Sequence, residues 1–444
     1  MKKGTTQGGT LVASVVLWGA QIGAVRWDTE RQLGFFEYAP AFRRSGIQVA
    51  PLTMPLDNSI HAFPQLARDT FRGLPGLLAD SLPDKFGNAV IDAWLAEQGR
   101  SREDFSPVER LCYIGRRGMG ALEFEPAAGR GTGNALPLDI GALAALSDAI
   151  LAQRDGFSTW LSEDEQRNEK AMRDIIQVGV SAGGARAKAL VAWNETTQEI
   201  RSGQLQAPPG FSHWLLKFDG VTHNRDKERF DPAGFGLIEY AYYLMATAAG
   251  IDMPECRLLR ENGRSHFMCR RFDRTDDGQK LHMQSLCAIA HYDFNMAGAW
   301  SYEQALQVMQ RLGLSKLALE EQFRRMVFNV LARNQDDHTK NIAFLMNRRG
   351  EWSLSPAFDV TFAYNPDGAW TQQHQMSIQG KRDHFSRDDL LAVARRFAIM
   401  DKRALDIVDG VATAIRQWPA FAAEAGVDEA TTQAIAAAQA QRQW

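Results

Sequence analysis

The string Arg333-Asn334-Gln335-Asp336-Asp337-His338-Thr339-Lys340-Asn341 packs two carboxylates, an imidazole, two cations and three amides into one short stretch. It follows an apolar, helix-patterned segment directly. Packing alone gives little reason for such a density of reactive groups. Asp336 and Asn341 stand at Asp-x-x-x-x-Asn spacing, which suits phosphoryl transfer. In that chemistry the Asp orients an attacking hydroxyl and accepts its proton, while the Asn carries a magnesium ion. The spacing matters because both side chains must converge on one γ-phosphoryl group.

Three further pieces lie in an order that fits. Val178-Gly179-Val180-Ser181-Ala182-Gly183-Gly184-Ala185-Arg186-Ala187-Lys188 is a glycine loop whose backbone N–H groups could approach phosphate oxygens. A plain tight turn explains such a loop equally well when it stands alone. Lys217 sits among Leu215, Leu216 and Phe218, so its ammonium needs water or an anion. It is either an outward-facing lysine on a half-exposed strand or a point charge for phosphates. Glu239 on the next helix could orient it. Asp359, after Pro356-Ala357-Phe358, is either a turn cap or a second magnesium ligand. Mg²⁺ suits this set, because it needs only one or two protein oxygens beside phosphates and water.

The chain has no Gly-x-Gly-x-x-Gly, His-Arg-Asp or Asp-Phe-Gly, so an ordinary eukaryote-like kinase is excluded and a divergent one is not. Two rivals stay open. Asp336, Asp337 and His338 could be ligands of a metal-dependent phosphohydrolase, which leaves the glycine loop and Lys217 without a purpose. A nucleotide-binding pseudokinase acting as a repressor subunit is the other.

These groups need a scaffold, and the chain is long enough for about three compact units at roughly 150 residues each. It has 444 residues, 45% hydrophobic and 23% charged, an ordinary globular balance that excludes disordered and collagen-like classes. The net charge of −3 does not mark a dedicated nucleic-acid binder. Cys112, Cys256, Cys269 and Cys287 space neither as a zinc site nor as a disulfide framework, which points to a reducing, cytoplasmic compartment. Met1-Lys2-Lys3 before an apolar run has a faint leader look. However, Val12, Val15, Val16 and Leu17 favour a strand, with a turn over Gly19–Gly23 into a second strand at Ala24–Trp27. Nothing reaches the ~20 apolar residues of a membrane span.

Apolar spacing places a helix over Pro83–Leu95 and another over Leu138–Arg154, with a breaker-rich linker at Ala127–Asn134 between them. Strands are expected at 189–193, 214–218 and 266–272. Helices are expected at 236–249, 303–312 and 319–332, at Ser386 through a capping box with Asp389, and over 430–443. The expected class is α+β, two-lobed, with a strand-rich lobe before a helical one and a cleft between them.

At this point the residues resemble the HipA family of bacterial toxin kinases over nearly the full length. The carriers are the loop Ser181–Lys188, Leu216-Lys217-Phe218, Arg271-Phe272-Asp273-Arg274, Asp336–Asn341 and Leu354–Asp359. Leu77–Asp84 and Ile114–Leu122 are similar to the domain that family members carry ahead of the kinase lobes. The resemblance implies a protein-kinase-like bilobal fold behind a small α/β N-terminal domain. Its divisions would be residues 1–134, an N-lobe over 135–290 and a helical C-lobe over 291–444. It also implies a serine/threonine protein kinase using ATP and Mg²⁺. Asp336 would be the base, and Asn341 and Asp359 the metal residues. Ser181, Ala182, Gly183, Gly184, Lys188 and Lys217 would lie along the phosphates, and Arg270 and Phe272 by the adenine. Ser181 would be the autophosphorylated serine. Asp337 replaces a small residue of some members and could compete for metal. The implied partners are a protein substrate, such as an aminoacyl-tRNA synthetase, and a small DNA-binding antitoxin of HipB type. Operator DNA would be met mainly through that antitoxin, and no membrane is involved.

Overall fold

The computed structural model describes residues 11–83, 88, 105–127, 158–160, 188–203, 209–219, 234–261 and 263–442. The linker, the helix expected at 138–154, nearly all of the helix expected at 83–95, and the glycine loop with Ser181, Ala182, Gly183 and Gly184 therefore lie outside the described residues.

Alternating apolar residues build the first sheet, in the order β3-β2-β1-β4: β1 (Val12–Leu17), β2 (Ala20–Asp28), β3 (Leu33–Tyr38) and β4 (Leu122–Pro126). The β1–β2 turn is tighter than the expected Gly19–Gly23. Trp18 and Gly19 both take positive φ, 50° and 80°, so two residues suffice and β2 starts at Ala20. Such a turn matches the twist of the strands it joins. Val15, Val25, Phe36 and Phe124 form the core beneath this sheet. The helix Pro107–Ile114 packs on it, started by a capping box between Ser106 and Glu109.

The second sheet is antiparallel, ordered β5-β7-β6-β8-β10-β9. Its strands are β5 (Ser158–Trp160), β6 (Lys188–Asn194), β7 (Glu199–Ser202), β8 (Ser212–Lys217), β9 (Cys256–Glu261) and β10 (Arg264–Arg270). The expected strand cores are all here, but β8 ends at Lys217 and β10 at Arg270, so Phe218, Arg271 and Phe272 lie just beyond. Trp193, Trp214 and Leu216 fill one face. The helix Phe235–Ala248 lies against β9 and β10. Its approach requires glycine at 236, since a Cβ there would stand 2.1 Å from the Ser265 carbonyl oxygen.

The last third is helical, as its 3.6-residue periodicity demands. Helices run over Tyr302–Arg311, Lys316–Leu331, Arg387–Arg396, Asp401–Ile415, Trp418–Ala425 and Glu429–Ala440. Ser386 and Asp389 form the expected capping box. One large core, with Phe323, Phe328, Leu390 and Trp418, joins them. A small sheet of β11 (His282–Ser285), β12 (Ala343–Met346) and β13 (Trp352–Leu354) pairs residues from both sides of position 290.

The N-terminal sheet domain is seated by polar bonds. The Asp80 carboxylate accepts from the Ser285 N–H at 2.7 Å and its hydroxyl at 2.8 Å, and Gly76 N–H donates to His291 Nε2 at 3.0 Å. Asp273 is fully buried. It accepts from Arg271 Nη2 at 2.7 Å, Arg274 Nη1 at 2.8 Å and Gly120 N–H at 2.7 Å. Two of these docking residues, Asp80 and Gly120, fall within the strings Leu77–Asp84 and Ile114–Leu122. Among the described residues no helix is long and apolar enough to cross a membrane.

Candidate active site

Lys217 ends β8 with Lys188 of β6 directly opposite it in register. Strand alternation puts Leu216 into the sheet core and turns Lys217 to the other face. There its ammonium donates to Glu239 of the helix Phe235–Ala248 and to Asp359. The Lys217 and Glu239 side chains are 11% and 3% exposed, whereas Asp359 is 35% exposed. Burial alone would lower the lysine's pKa, but Asp359 and then Glu239 raise it above its ordinary value. Burial would likewise raise Asp359, yet Lys217 first and Lys188 next hold its carboxyl well below the usual range. Lys217 is therefore charged and Asp359 ionised. Asp359 takes a left-handed backbone, φ 53°, which for a residue other than glycine costs on the order of 1 kcal/mol. The preceding Phe358 packs its ring 5.5 Å from that of Phe272.

The helix Lys316–Leu331 leads into the Asp336–Asn341 loop. Arg333, just past it, is tied to the last helical segment: Nε donates to the Ala438 carbonyl at 2.9 Å and Nη2 to Gln441 Oε1 at 2.7 Å. Its guanidinium lies 4.2 Å from the centre of the Tyr364 ring. Tyr242 Oη, one turn beyond Glu239, donates to the Ala332 carbonyl at 2.6 Å and accepts from Gln439 at 3.1 Å. The helix that carries Glu239 and the loop that carries Asp336 thus share one strut.

The two adjacent aspartates have opposite surroundings. The Asp336 side chain is 43% exposed. Partial burial raises its carboxyl from the ordinary value; His338 and the Trp370 N–H oppose this, and Asp359 and Asp337 add to it. Asp337 is buried and accepts from Tyr302 Oη at 2.7 Å, His374 Nδ1 at 2.8 Å and Gln375 N–H at 2.7 Å. With both oxygens taken, Asp337 is an anchor of the loop. The expectation that it competes for metal is corrected on that ground.

Asn341 closes a 3₁₀ turn, Thr339–Asn341, and its Nδ2 donates to the Asp336 carbonyl at 2.8 Å. Among the described residues its amide oxygen has no hydrogen-bond partner. Asn341 and Asp359 line one cavity of about 30 Å³ together with His338 and Asp337. The oxygens of Asn341 and Asp359 are the hard donors Mg²⁺ takes, and one Asp359 oxygen stays clear of Lys217.

Asp336, Asn341, Asp359, Lys188, Lys217 and Glu239 therefore come from five separate stretches of chain to one region. Phe272 joins them through Phe358. Arg270 is turned elsewhere, donating to Asp276 at 2.9 Å and lying 3.8 Å from Glu255. The sequence reading missed Trp370, His374, Tyr302 and Gln375, which hold the two aspartates. Their positions carry no local periodicity or motif that would have singled them out.

A strand-rich lobe holding a lysine–glutamate pair, over a helical lobe holding an Asp-x-x-x-x-Asn loop, defines a two-lobed protein-kinase-like fold behind a small N-terminal domain. A model of the HipA-like C-terminal domain matches residues 180–418, and one of the HipA N-terminal domain matches 13–125. The chain belongs to the HipA family. The Sinorhizobium fredii protein Y4dM, named as a kinase, is 28% identical over 211 residues. That match covers 44% of this chain and 48% of Y4dM, so the chain spans about half the length of this curated relative. The structure is similar to HipA of Shewanella oneidensis, solved with HipB and operator DNA. The TM-score is 0.63 at 16% identity, covering 97% of this chain and 95% of that one.

Proposed function

We propose that this chain is an ATP- and Mg²⁺-dependent serine/threonine protein kinase, the toxin of a HipA-like toxin–antitoxin pair. It phosphorylates a cellular protein, such as an aminoacyl-tRNA synthetase, and itself at Ser181. The observation that carries this reading is Lys217, shared between Glu239 and Asp359 beside Asp336 and Asn341.

Asp336 receives the substrate hydroxyl and takes its proton as the oxygen bonds to the γ-phosphorus. The bond from that phosphorus to the β–γ bridging oxygen breaks, and ADP leaves. Lys217 and Lys188 offset the phosphate charge, and Glu239 keeps Lys217 extended. Asn341 and Asp359 would hold Mg²⁺, which when bound neutralises charge on the β- and γ-phosphates. Ser181, Ala182, Gly183 and Gly184 would cover the phosphates, and Phe272 would border the adenine. Arg270, turned to Asp276, has less support there.

The hydrolase alternative has less support, since Asp337 already accepts three hydrogen bonds. An antitoxin of HipB type is the fitting partner, with DNA met mainly through it; the Shewanella oneidensis complex supports this assembly. Four free, buried cysteines suit a cytoplasmic protein. Incubation with γ-labelled ATP and Mg²⁺, alone and in a lysate, tests the reading. Label on Ser181 and on a lysate protein, lost in Asp336→Asn, is expected. Free phosphate without labelled protein supports the hydrolase, and nucleotide binding without turnover the pseudokinase.

A further inference from the structure

Trp370 lies in the stretch that follows Asp359 and returns to the catalytic loop. Its indole Nε1–H donates to Asp336 Oδ1 at 2.6 Å. His338 Nε2 stands 3.8 Å from the same oxygen, beyond hydrogen-bond range. Among the described residues, Asp336 Oδ2 has no hydrogen-bond partner. One oxygen of the proposed base is thus held and the other is left open.

The indole is itself fixed. Gln375 donates through its side-chain nitrogen to the Trp370 carbonyl and, at 3.0 Å, to that of Gln373. The Gln375 N–H bonds Asp337, next to the base. On the other side, Gln335 N–H donates to the Ala363 carbonyl at 3.1 Å and Ala363 N–H to the Arg333 carbonyl at 3.0 Å. The catalytic loop and the Trp370 stretch are stitched together at both ends, which is a frame rather than a hinge.

We infer that Trp370 is a positioning residue for phosphoryl transfer: its N–H pins Oδ1 of Asp336 and so aims Oδ2 at the substrate hydroxyl. The inference rests on the kinase reading. A carboxylate's last torsion is broad and nearly two-fold, so a half-exposed aspartate needs an outside bond to keep one heading. Near-attack geometry tolerates little error, and small displacements of a reacting group lower rates steeply. Acting only on the base, Trp370 should affect turnover and leave nucleotide binding alone. The rival arrangement, an indole occupying the hydroxyl's seat, makes the opposite prediction, a faster enzyme once the N–H is removed.

The test uses the full chain as wild type, Trp370→Phe, Asp336→Asn and the double variant. Protein labelling from γ-labelled ATP is followed against ATP concentration, and nucleotide affinity is titrated separately. Trp370→Phe should lower the saturating rate about 10- to 100-fold, the usual worth of a hydrogen bond to a charged group. Half-saturating ATP and nucleotide affinity should stay near wild type. The double variant should be no slower than Asp336→Asn, because the indole acts through that carboxylate. A Trp370→Phe rate equal to or above wild type overturns the inference, as do losses that multiply in the double variant. Should Trp370→Phe fail to bind nucleotide, Gln375→Leu carries the test. It frees the Trp370 carbonyl and keeps the indole, and a wild-type rate there is equally fatal. Wild-type protein that labels nothing ends the kinase reading and this inference together, whereas labelling unchanged in Trp370→Phe and Gln375→Leu but lost in Asp336→Asn ends the inference alone.

Discussion

Two buried charge clusters in this molecule are near mirror images. In one, Lys217 lies between the carboxylates Glu239 and Asp359. In the other, Asp273 lies between the guanidinium groups of Arg271 and Arg274. The first sums to one negative charge and the second to one positive. They differ in how completely they are bonded. Asp273 has both oxygens filled, with Gly120 N–H from the N-terminal domain added, and no water reaches it. Burial would raise its carboxyl, but Arg271 and then Arg274 hold it well below the ordinary range. Asp359 is a third exposed, and among the described residues one of its oxygens has no hydrogen-bond partner. The closed cluster acts as a seal between domains. The open one also faces Lys188, which balances its charge, and it stays partly open to water.

That contrast can be broken by substitution. The largest effect should come from Asp336→Ala at the open site: a rate loss of ~10²–10⁴-fold, with unfolding in urea unchanged. A near-wild-type rate would remove Asp336 from the mechanism. At the closed cluster, Asp273→Ala leaves two arginines buried against each other, so stability should fall by about 3–5 kcal/mol. Asp359→Ala should shift stability by less than about 1 kcal/mol, because Lys217 keeps Glu239 and the site is open to water. Equal losses in the two variants, read from urea midpoints, would erase the distinction.

Acid sharpens it. His213 is pushed down to about 4 by burial first and then by Arg271 and Arg274 of the closed cluster. His282 and His291 are pushed down to about 4 by burial. Their folded values lie below the ordinary 6.5, so between pH 6.5 and 4 the unfolded chain binds more protons. Stability should therefore fall as pH drops through that window, by at most about 1.4 kcal/mol per pH unit per histidine. The Asp273 contribution is lost only at lower pH. A stability curve flat from pH 7 to pH 5 would contradict the buried, neutral histidines. The smallest effect should be on metal demand. Asp359→Ala and then Asn341→Ala should raise the Mg²⁺ needed for half-maximal labelling, the anion more than the amide. An unchanged Mg²⁺ titration in both would deny them a shared ion.

The parts of this molecule legible in the sequence were those with a local signature. Ser386 and Asp389 announce a helix start three residues apart, and the apolar spacing of residues 319–332 announces a buried helix, which begins slightly earlier, at Lys316. Asp336 and Asn341 stand out because five positions and chemistry suffice to relate them. What stayed hidden depends on distant pairs. Trp370 meets Asp336 across 34 positions, and Gly120 meets Asp273 across 153. Asp337 shows the limit well. Its residue type suggested a ligand, and only its three partners reveal an anchor. The β1–β2 turn was misplaced because a tryptophan in the left-handed region gives no compositional warning.

The bonds from Arg333 to Ala438 and Gln441 set a clock on synthesis. These partners lie 105 and 108 positions further along the chain. At the usual ~5–20 residues per second, a ribosome needs roughly 5–20 s to travel from the Asp336–Asn341 loop to the residues that brace it. Throughout that interval the nascent chain holds Asp336 without these bonds to its loop. The loop gains these bonds only once the whole helical lobe has been made.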